Sequence, residues 1–256
     1  MIYFVGAGPG DPELLTLKAK RLIDGADVIV YAGSLVNPAV LKDKKTGAMV
    51  YDSAGMSLDE VMEVLIEAEE RNLLSVRVHT GDPAVYGAIR EQIDQLEKRK
   101  IAYEVVPGVS SIFAASATLG RELTLPGVSQ TVILTRQAGR TPVPEGETIS
   151  SLAAHRATMV IFLSVGQIDS LSEDLIAGGY APSTPVAVVY RASWPDEKIV
   201  YGTLRTIAEL TKEQGIVRQA LVMVGEFLGE EYELSKLYDA QFTHGYRKGS
   251  DAEPAR

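Results

Sequence analysis

The sequence predicts an α/β fold of two α/β domains, an N-terminal one on a mostly parallel sheet and a C-terminal one on a mixed sheet. In the first half, short apolar runs alternate with segments of helical period, the pattern of strands crossed over by helices. Those runs are apolar almost without a break, as strands covered on both faces need to be. In the second half two strand-like runs, 186–190 and 198–201, are joined by a short polar turn, which predicts an antiparallel pair. The expected division is 1–118, 119–235 and a polar, loose tail over 236–256.

Taken in order, the first strand covers 2–5 and runs into Gly6-Ala-Gly-Pro-Gly-Asp11. Asp11 stands where an N-cap belongs and Pro12 follows at the first helical position, so a helix is expected over 12–24. Further strands are expected at 27–31, 48–51, 75–79 and 103–106, and helices at 58–71 and 85–99. Ser57 and Glu60 form a capping-box pattern before the helix at 58. A helix over 110–119 leads to a linker with Pro126 and Gly127. Beyond it come strands at 130–134, 158–163, 185–190, 197–201 and 219–224, with helices at 149–155, 167–177 and 204–214.

Composition narrows the function. Of 256 residues, 46% are hydrophobic and 7% aromatic, which fits a globular protein with a sizeable core. With 25 basic against 34 acidic residues the net charge is −9, which argues against a nucleic-acid partner. The absence of cysteine removes disulfides and thiolate chemistry, and three scattered histidines, His79, His155 and His244, lack metal-ligand spacing. No metal site is expected. The start shows no basic segment followed by an apolar one, and no apolar run approaches membrane-spanning length. A cytoplasmic protein without a membrane partner is expected.

Three expected strand ends carry glycine-bearing turns: Gly6 to Gly10, Thr80-Gly-Asp-Pro83, and Pro107-Gly-Val-Ser-Ser111. Open α/β sheets bind ligands outside the carboxyl ends of their strands, so three such turns predict one shared crevice. Glycine there lets a ligand approach the main chain. The first turn is G-x-G-x-G, not the dinucleotide G-x-G-x-x-G, and no acidic residue ends the second strand, which disfavours a nicotinamide enzyme.

Together, Val5-Gly-Ala-Gly-Pro-Gly-Asp-Pro-Glu-Leu-Leu-Thr16, the Thr80 and Pro107 turns, and Pro185-Val-Ala-Val-Val-Tyr-Arg-Ala-Ser-Trp-Pro-Asp-Glu-Lys198 resemble the tetrapyrrole methylase family. That family uses S-adenosylmethionine (SAM) to methylate ring carbons. Tyr31-Ala-Gly-Ser-Leu-Val36 and Thr135-Arg-Gln-Ala-Gly-Arg-Thr141 resemble its branch acting at carbon 11 of precorrin-4 or cobalt-precorrin-4, in vitamin B12 synthesis. The resemblance implies SAM as methyl donor, S-adenosylhomocysteine as product, a homodimer, and SAM held between two α/β domains. By position it implies SAM contacts at Pro9, Gly81, Asp82, Val85, Ser110, Ser111, Leu163, Ala192 and Leu221. For Asp82 the plain alternative is Asp-Pro turn chemistry. Sirohaem-type members carry an acid just after the second strand. Here Ala32 stands there, so no carboxylate base is expected at that point, and uroporphyrinogen-III methylation becomes the weaker alternative.

A tetrapyrrole substrate brings several carboxylates, which call for arginine forks. Arg136, Arg140 and Arg191 are the candidates. No residue stands out as a general base. Tyr31, Tyr86, Tyr190 and His79 are each more often packed residues than bases. Trp194, the one tryptophan, fits either a wall of the substrate trough or an edge or dimer contact. A non-enzymatic SAM sensor is the rival from another class, disfavoured by the lack of any output domain.

Overall fold

The structure is a computed structural model and describes residues 1–250. Its first half contains β1 (Ile2–Gly6), α1 (Leu17–Gly25), β2 (Val28–Tyr31), β3 (Met49–Asp52), α2 (Leu58–Glu70), β4 (Ser75–His79), α3 (Arg90–Lys98) and β5 (Tyr103–Val106). The five strands are parallel, in the order β3-β2-β4-β1-β5. Alternate side chains go to opposite faces. Val5, Ile29, Val76 and Val78 pack with Ala19, Leu22 and Ile23 of α1. Ile2, Phe4, Val28 and Val30 pack with Val61, Met62 and Leu65 of α2 and Leu96 of α3. Full burial of each such large side chain contributes about 1.5–3 kcal/mol, which is why both faces had to be apolar.

The second half contains α4 (Ser111–Leu119), β6 (Val132–Arg136), α5 (Ile149–Ala153), β7 (Thr158–Phe162), α6 (Ile168–Ala177), β8 (Pro185–Tyr190), β9 (Lys198–Thr203), α7 (Ile207–Glu213) and β10 (Ala220–Val224). The sheet order is β6-β7-β10-β8-β9. Only the β6–β7 pair is parallel, so the sheet is mixed, and β8 and β9 form the expected antiparallel pair. Helices α5, α6 and α7 cover one face. The other face, with Val160, Ala187, Val189, Leu221 and Met223, receives Ile112, Ala115 and Leu119 of α4. Thus α4 joins the halves by packing on the second sheet.

Three expected helices start later than their sequence signals, the one expected from 204 beginning at Ile207. Asp11 caps a single 3-10 turn, Pro12–Leu14, and α1 begins only after Thr16, whose Oγ1 accepts from Ala19 N. The extended backbone at Leu15 separates the two. The helix expected from 85 begins at Arg90, because Tyr86 and Ala88 adopt left-handed φ values of 56° and 49°. Ser57 and Glu60 form the full capping box before α2. In the expected tail, residues up to 250 make a 3-10 turn at Lys236–Tyr238 and a bridge between His244 and Arg247. Residues 251–256 lie outside the described residues.

Candidate active site

The turns after β1, β4 and β5 meet at one place. Gly8 and Gly81 form a two-bond bridge: Gly81 N donates to Gly8 O at 2.8 Å and Gly8 N to Gly81 O at 3.2 Å. Strand order explains the meeting, since β4 lies between β1 and β2 while β5 flanks β1 on its other side, so the crossovers diverge there. The glycines serve this contact directly. A Cβ on Gly6 would lie 2.6 Å from Gly108 Cα, and one on Gly108 would lie 2.2 Å from Gly81 O. Gly10 is bare for a different neighbour: its Cβ would fall 2.1 Å from Trp194 Cδ1. At Gly6, Gly10 and Gly108, therefore, packing by itself accounts for the glycine, whatever approaches the main chain.

Asp82 fastens two of the turns. Its Oδ1 accepts from Ala84 N at 2.8 Å and its Oδ2 from Gly108 N at 2.9 Å. Turn chemistry is thus one of its roles. Pro9 is buried, and its carbonyl accepts from Trp194 Nε1 at 2.8 Å. Ser110, only 6% exposed, occupies the N-cap of α4 without making a capping bond, and Gly81 lies against the Ser110–Ser111 backbone. Val85 follows Asp82 in the same loop. From the second half come Leu163, just past β7, Ala192, just past β8, and Leu221 in β10. Ala192 and Leu221 are buried together with Ile112 and Ala115 of α4. Leu163 is 65% exposed and holds a left-handed φ of 54°. An exposed leucine in strained backbone at a strand end is the kind of outlier that functional sites keep.

At the neighbouring edge, the Tyr86 ring packs on Phe162 of β7, centroids 5.3 Å apart. The Tyr86 phenol is raised above its ordinary range, first by burial; Arg136 opposes this and Glu147 adds to it. The three candidate arginines differ sharply. Arg136 donates to the carbonyls of Gln137, Thr141 and Pro142, and so ties its own loop. Arg191 donates Nε to Gln219 Oε1 at 3.0 Å and Nη1 to Asp196 at 2.6 Å, with its guanidinium over the Tyr190 and Trp194 rings. Arg140 is exposed and has no hydrogen bond or ion pair among the described residues.

His79 is not at this surface. It is 5% exposed on the α2/α3 face, its ring 6.1 Å from Phe4, and burial with Arg77 nearby pushes it down to about 3. Sequence reasoning missed Asp52. It ends β3, and its Oδ1 accepts from Gly33 N at 3.0 Å and Ala54 N at 2.9 Å. A Cβ on Gly33 would lie 2.1 Å from Asp52 Oδ2. A carboxylate therefore does stand beside the Ala32 corner, supplied by the neighbouring strand. The one available signal was Gly33 itself. No group of His, Asp and Glu suited to a metal ion occurs among the described residues.

The donors and surfaces present fit a ligand with a flat apolar part and a polar end: an exposed leucine, a serine pair at a helix start, and backbone at three strand ends. Comparison with known proteins gives the family. The family model for Tetrapyrrole (Corrin/Porphyrin) Methylases matches residues 1–208. The cobalt-precorrin-4 C(11)-methyltransferase of Methanocaldococcus jannaschii is 57% identical over 248 residues, covering 96% of each chain. A solved cobalt-precorrin-4 methyltransferase of cobalamin biosynthesis superposes with a TM-score of 0.87 at 45% identity, covering 90% of this chain and 96% of that one. A uroporphyrin-III C-methyl transferase from Thermus thermophilus, complexed with S-adenyl homocysteine, gives 0.73 at 33% identity over 89% of this chain and 93% of its own. With the family model spanning most of the sequence and these relatives nearly all of it, the chain belongs to the tetrapyrrole methylase family.

Proposed function

We propose that this chain is a SAM-dependent C-methyltransferase that methylates carbon 11 of precorrin-4 or cobalt-precorrin-4 in cobalamin biosynthesis. The observation that carries this reading is the 57% identity, at 96% coverage of both chains, to the archaeal cobalt-precorrin-4 enzyme. SAM as donor is supported by the family and by the related enzyme complexed with S-adenyl homocysteine. The two lobes, 1–118 and 119–235, enclose the cleft, and Pro9, Gly81, Asp82, Val85, Ser110, Ser111, Leu163, Ala192 and Leu221 hold the donor. Two copies of the chain form a homodimer in the cytoplasm. No helix among the described residues is long and apolar enough to cross a membrane.

When bound, SAM supplies an electrophilic methyl group on its sulfonium. The residues then mainly position the reactants, and orientation alone can lower the barrier by roughly 7–11 kcal/mol. Ser110 and Ser111 offer hydroxyl donors at the start of α4, and Leu163 offers an apolar surface to a flat ring. Of the three candidate arginines, Arg140 is the one without a partner among the described residues and takes a substrate carboxylate, and Arg136 shapes the loop that presents it. Tyr86, with its phenol raised, stays protonated near neutrality and can donate a hydrogen bond but not serve as base.

The test is to incubate the protein with methyl-labelled SAM and a precorrin-4-level substrate, with and without cobalt. One added methyl group at carbon 11, read by mass and carbon-13 NMR, is expected. Methylation of uroporphyrinogen III instead, or none of any tetrapyrrole, would overturn the reading.

A further inference from the structure

The sole tryptophan sits in a constrained clasp between the halves. Trp194 Nε1 donates to Pro9 O at 2.8 Å, and the indole lies against Gly10 where any Cβ would collide with it. Beside it, Asp11 N donates to Ser193 Oγ at 3.1 Å. Three consecutive residues of the β1 turn are therefore held by two consecutive residues of the loop after β8. The clasp continues: Arg191 stacks its guanidinium 4.8 Å from the Trp194 ring, donates to Gln219, and Gln219 Nε2 donates to Ser34 O at 2.5 Å. Ser34 lies in the loop after β2.

The backbone of this clasp is strained. Arg191, Ser193 and Gln219 all take left-handed φ values, 48°, 67° and 56°, that disfavour side-chain-bearing residues. Glu197 helps to hold it, accepting from Ser193 N at 2.6 Å and from Thr118 of α4 at 2.9 Å. A contact needed only for stability could be made by unstrained apolar packing. Here a directed indole hydrogen bond and the strained Ser193 hold the Pro9–Asp11 turn, while the strained Gln219 holds the loop after β2.

We propose that Trp194 is a positioning residue for the methyl donor: through Pro9 and Gly10 it fixes the β1 turn, and through Arg191 and Gln219 it couples that turn to the loop after β2. This rests on the reading that the cleft takes SAM. Trp194 itself need not touch the reacting atoms. The consequence is that donor occupancy and the indole environment report on each other.

The experiment uses the full chain, with S-adenosylhomocysteine as probe. Calorimetry gives its affinity for wild type and for Trp194→Phe, which keeps a ring over Gly10 but removes the hydrogen bond to Pro9. Tryptophan emission of the wild type is titrated with the same probe. Emission is expected to change along a curve with the calorimetric Kd. Trp194→Phe is expected to bind about 3- to 10-fold more weakly, the loss of one hydrogen bond, and to raise the KM for SAM more than it lowers kcat. Silent emission at saturation, or a Trp194→Phe variant of full affinity, would overturn the proposal. The wild-type titration decides the matter even where the variant does not fold. A wild type that binds no S-adenosylhomocysteine would instead overturn the donor reading, and this inference with it.

Discussion

Both carboxylate oxygens of Asp82 accept backbone hydrogen bonds, one from its own turn and one from Gly108 in the turn after β5. Asp82→Ala should therefore loosen two turns at once. We expect a stability loss of about 1–3 kcal/mol in urea unfolding, with partial rescue in Asp82→Asn, because a partly buried N–H loses its acceptor. The arginines separate in the same way. Arg140→Ala should raise the substrate KM and leave S-adenosylhomocysteine affinity intact, whereas Arg191→Ala should disturb both by releasing Gln219 and Trp194. Kinetics with each substrate varied in turn distinguishes the two. His79 gives a pH prediction. Its folded value of about 3 lies below its ordinary 6.5, so between these limits the unfolded chain binds more protons. Stability attributable to His79 is present above pH 6.5 and falls with acid at up to about 1.4 kcal/mol per pH unit. His79→Gln should flatten that acid limb in denaturant titrations at pH 4 and pH 7. Residue types alone could not foresee these divisions of labour. Arg136, Arg140 and Arg191 read alike in sequence, and only the carbonyls of the 137–142 loop and the stack with Trp194 separate them.

Among elements, strands were the legible part. The runs at 75–79 and 185–190 coincide with β4 and β8; β8 is apolar almost throughout, as a strand paired on both sides needs, while β4 alternates Val76 and Val78 on the α1 face with the buried polar Ser75, Arg77 and His79 on the other. Helix starts were less legible after β1 and β4, where the chain meets the other half. The Asp11-Pro12 signal was real, but it caps a 3-10 turn whose direction is set by the contact of Asp11 with Ser193. The start expected at 85 gave way to a loop that presents Tyr86 to Phe162, and Gly87 is required there because a Cβ would lie 2.2 Å from Pro83 O. At both places tertiary contacts between the halves override local propensity. The end of α4 follows local rules: Gly120 closes it at φ 61° with open space around its Cβ position. Gly120→Ala should cost about 1 kcal/mol through backbone strain alone, seen as a lowered Tm with unchanged donor affinity.

Across the whole molecule, the two sheets meet over α4 and over a seam of named contacts: Pro9 with Trp194, Asp11 with Ser193, Ser34 with Gln219, and Tyr86 with Phe162. Each contact brings a loop at a strand end of the first sheet against the second half. The convergence of the three glycine-bearing turns was readable from a parallel sheet with glycines at its strand ends. The clasp that fixes the first of them was not, because Trp194 is 185 residues from its acceptor and its turn carries no periodic signal. The proposed division at 118/119 places α4 with the first lobe in sequence and against the second sheet in space. The most direct test of the whole account is a crystal structure of the chain with S-adenosylhomocysteine. The account predicts the ligand in the cleft, touching the turns after β1, β4 and β5 on one side and Leu163, Ala192 and Leu221 on the other. Ordered ligand at any other place on the molecule, with those turns untouched, would contradict it.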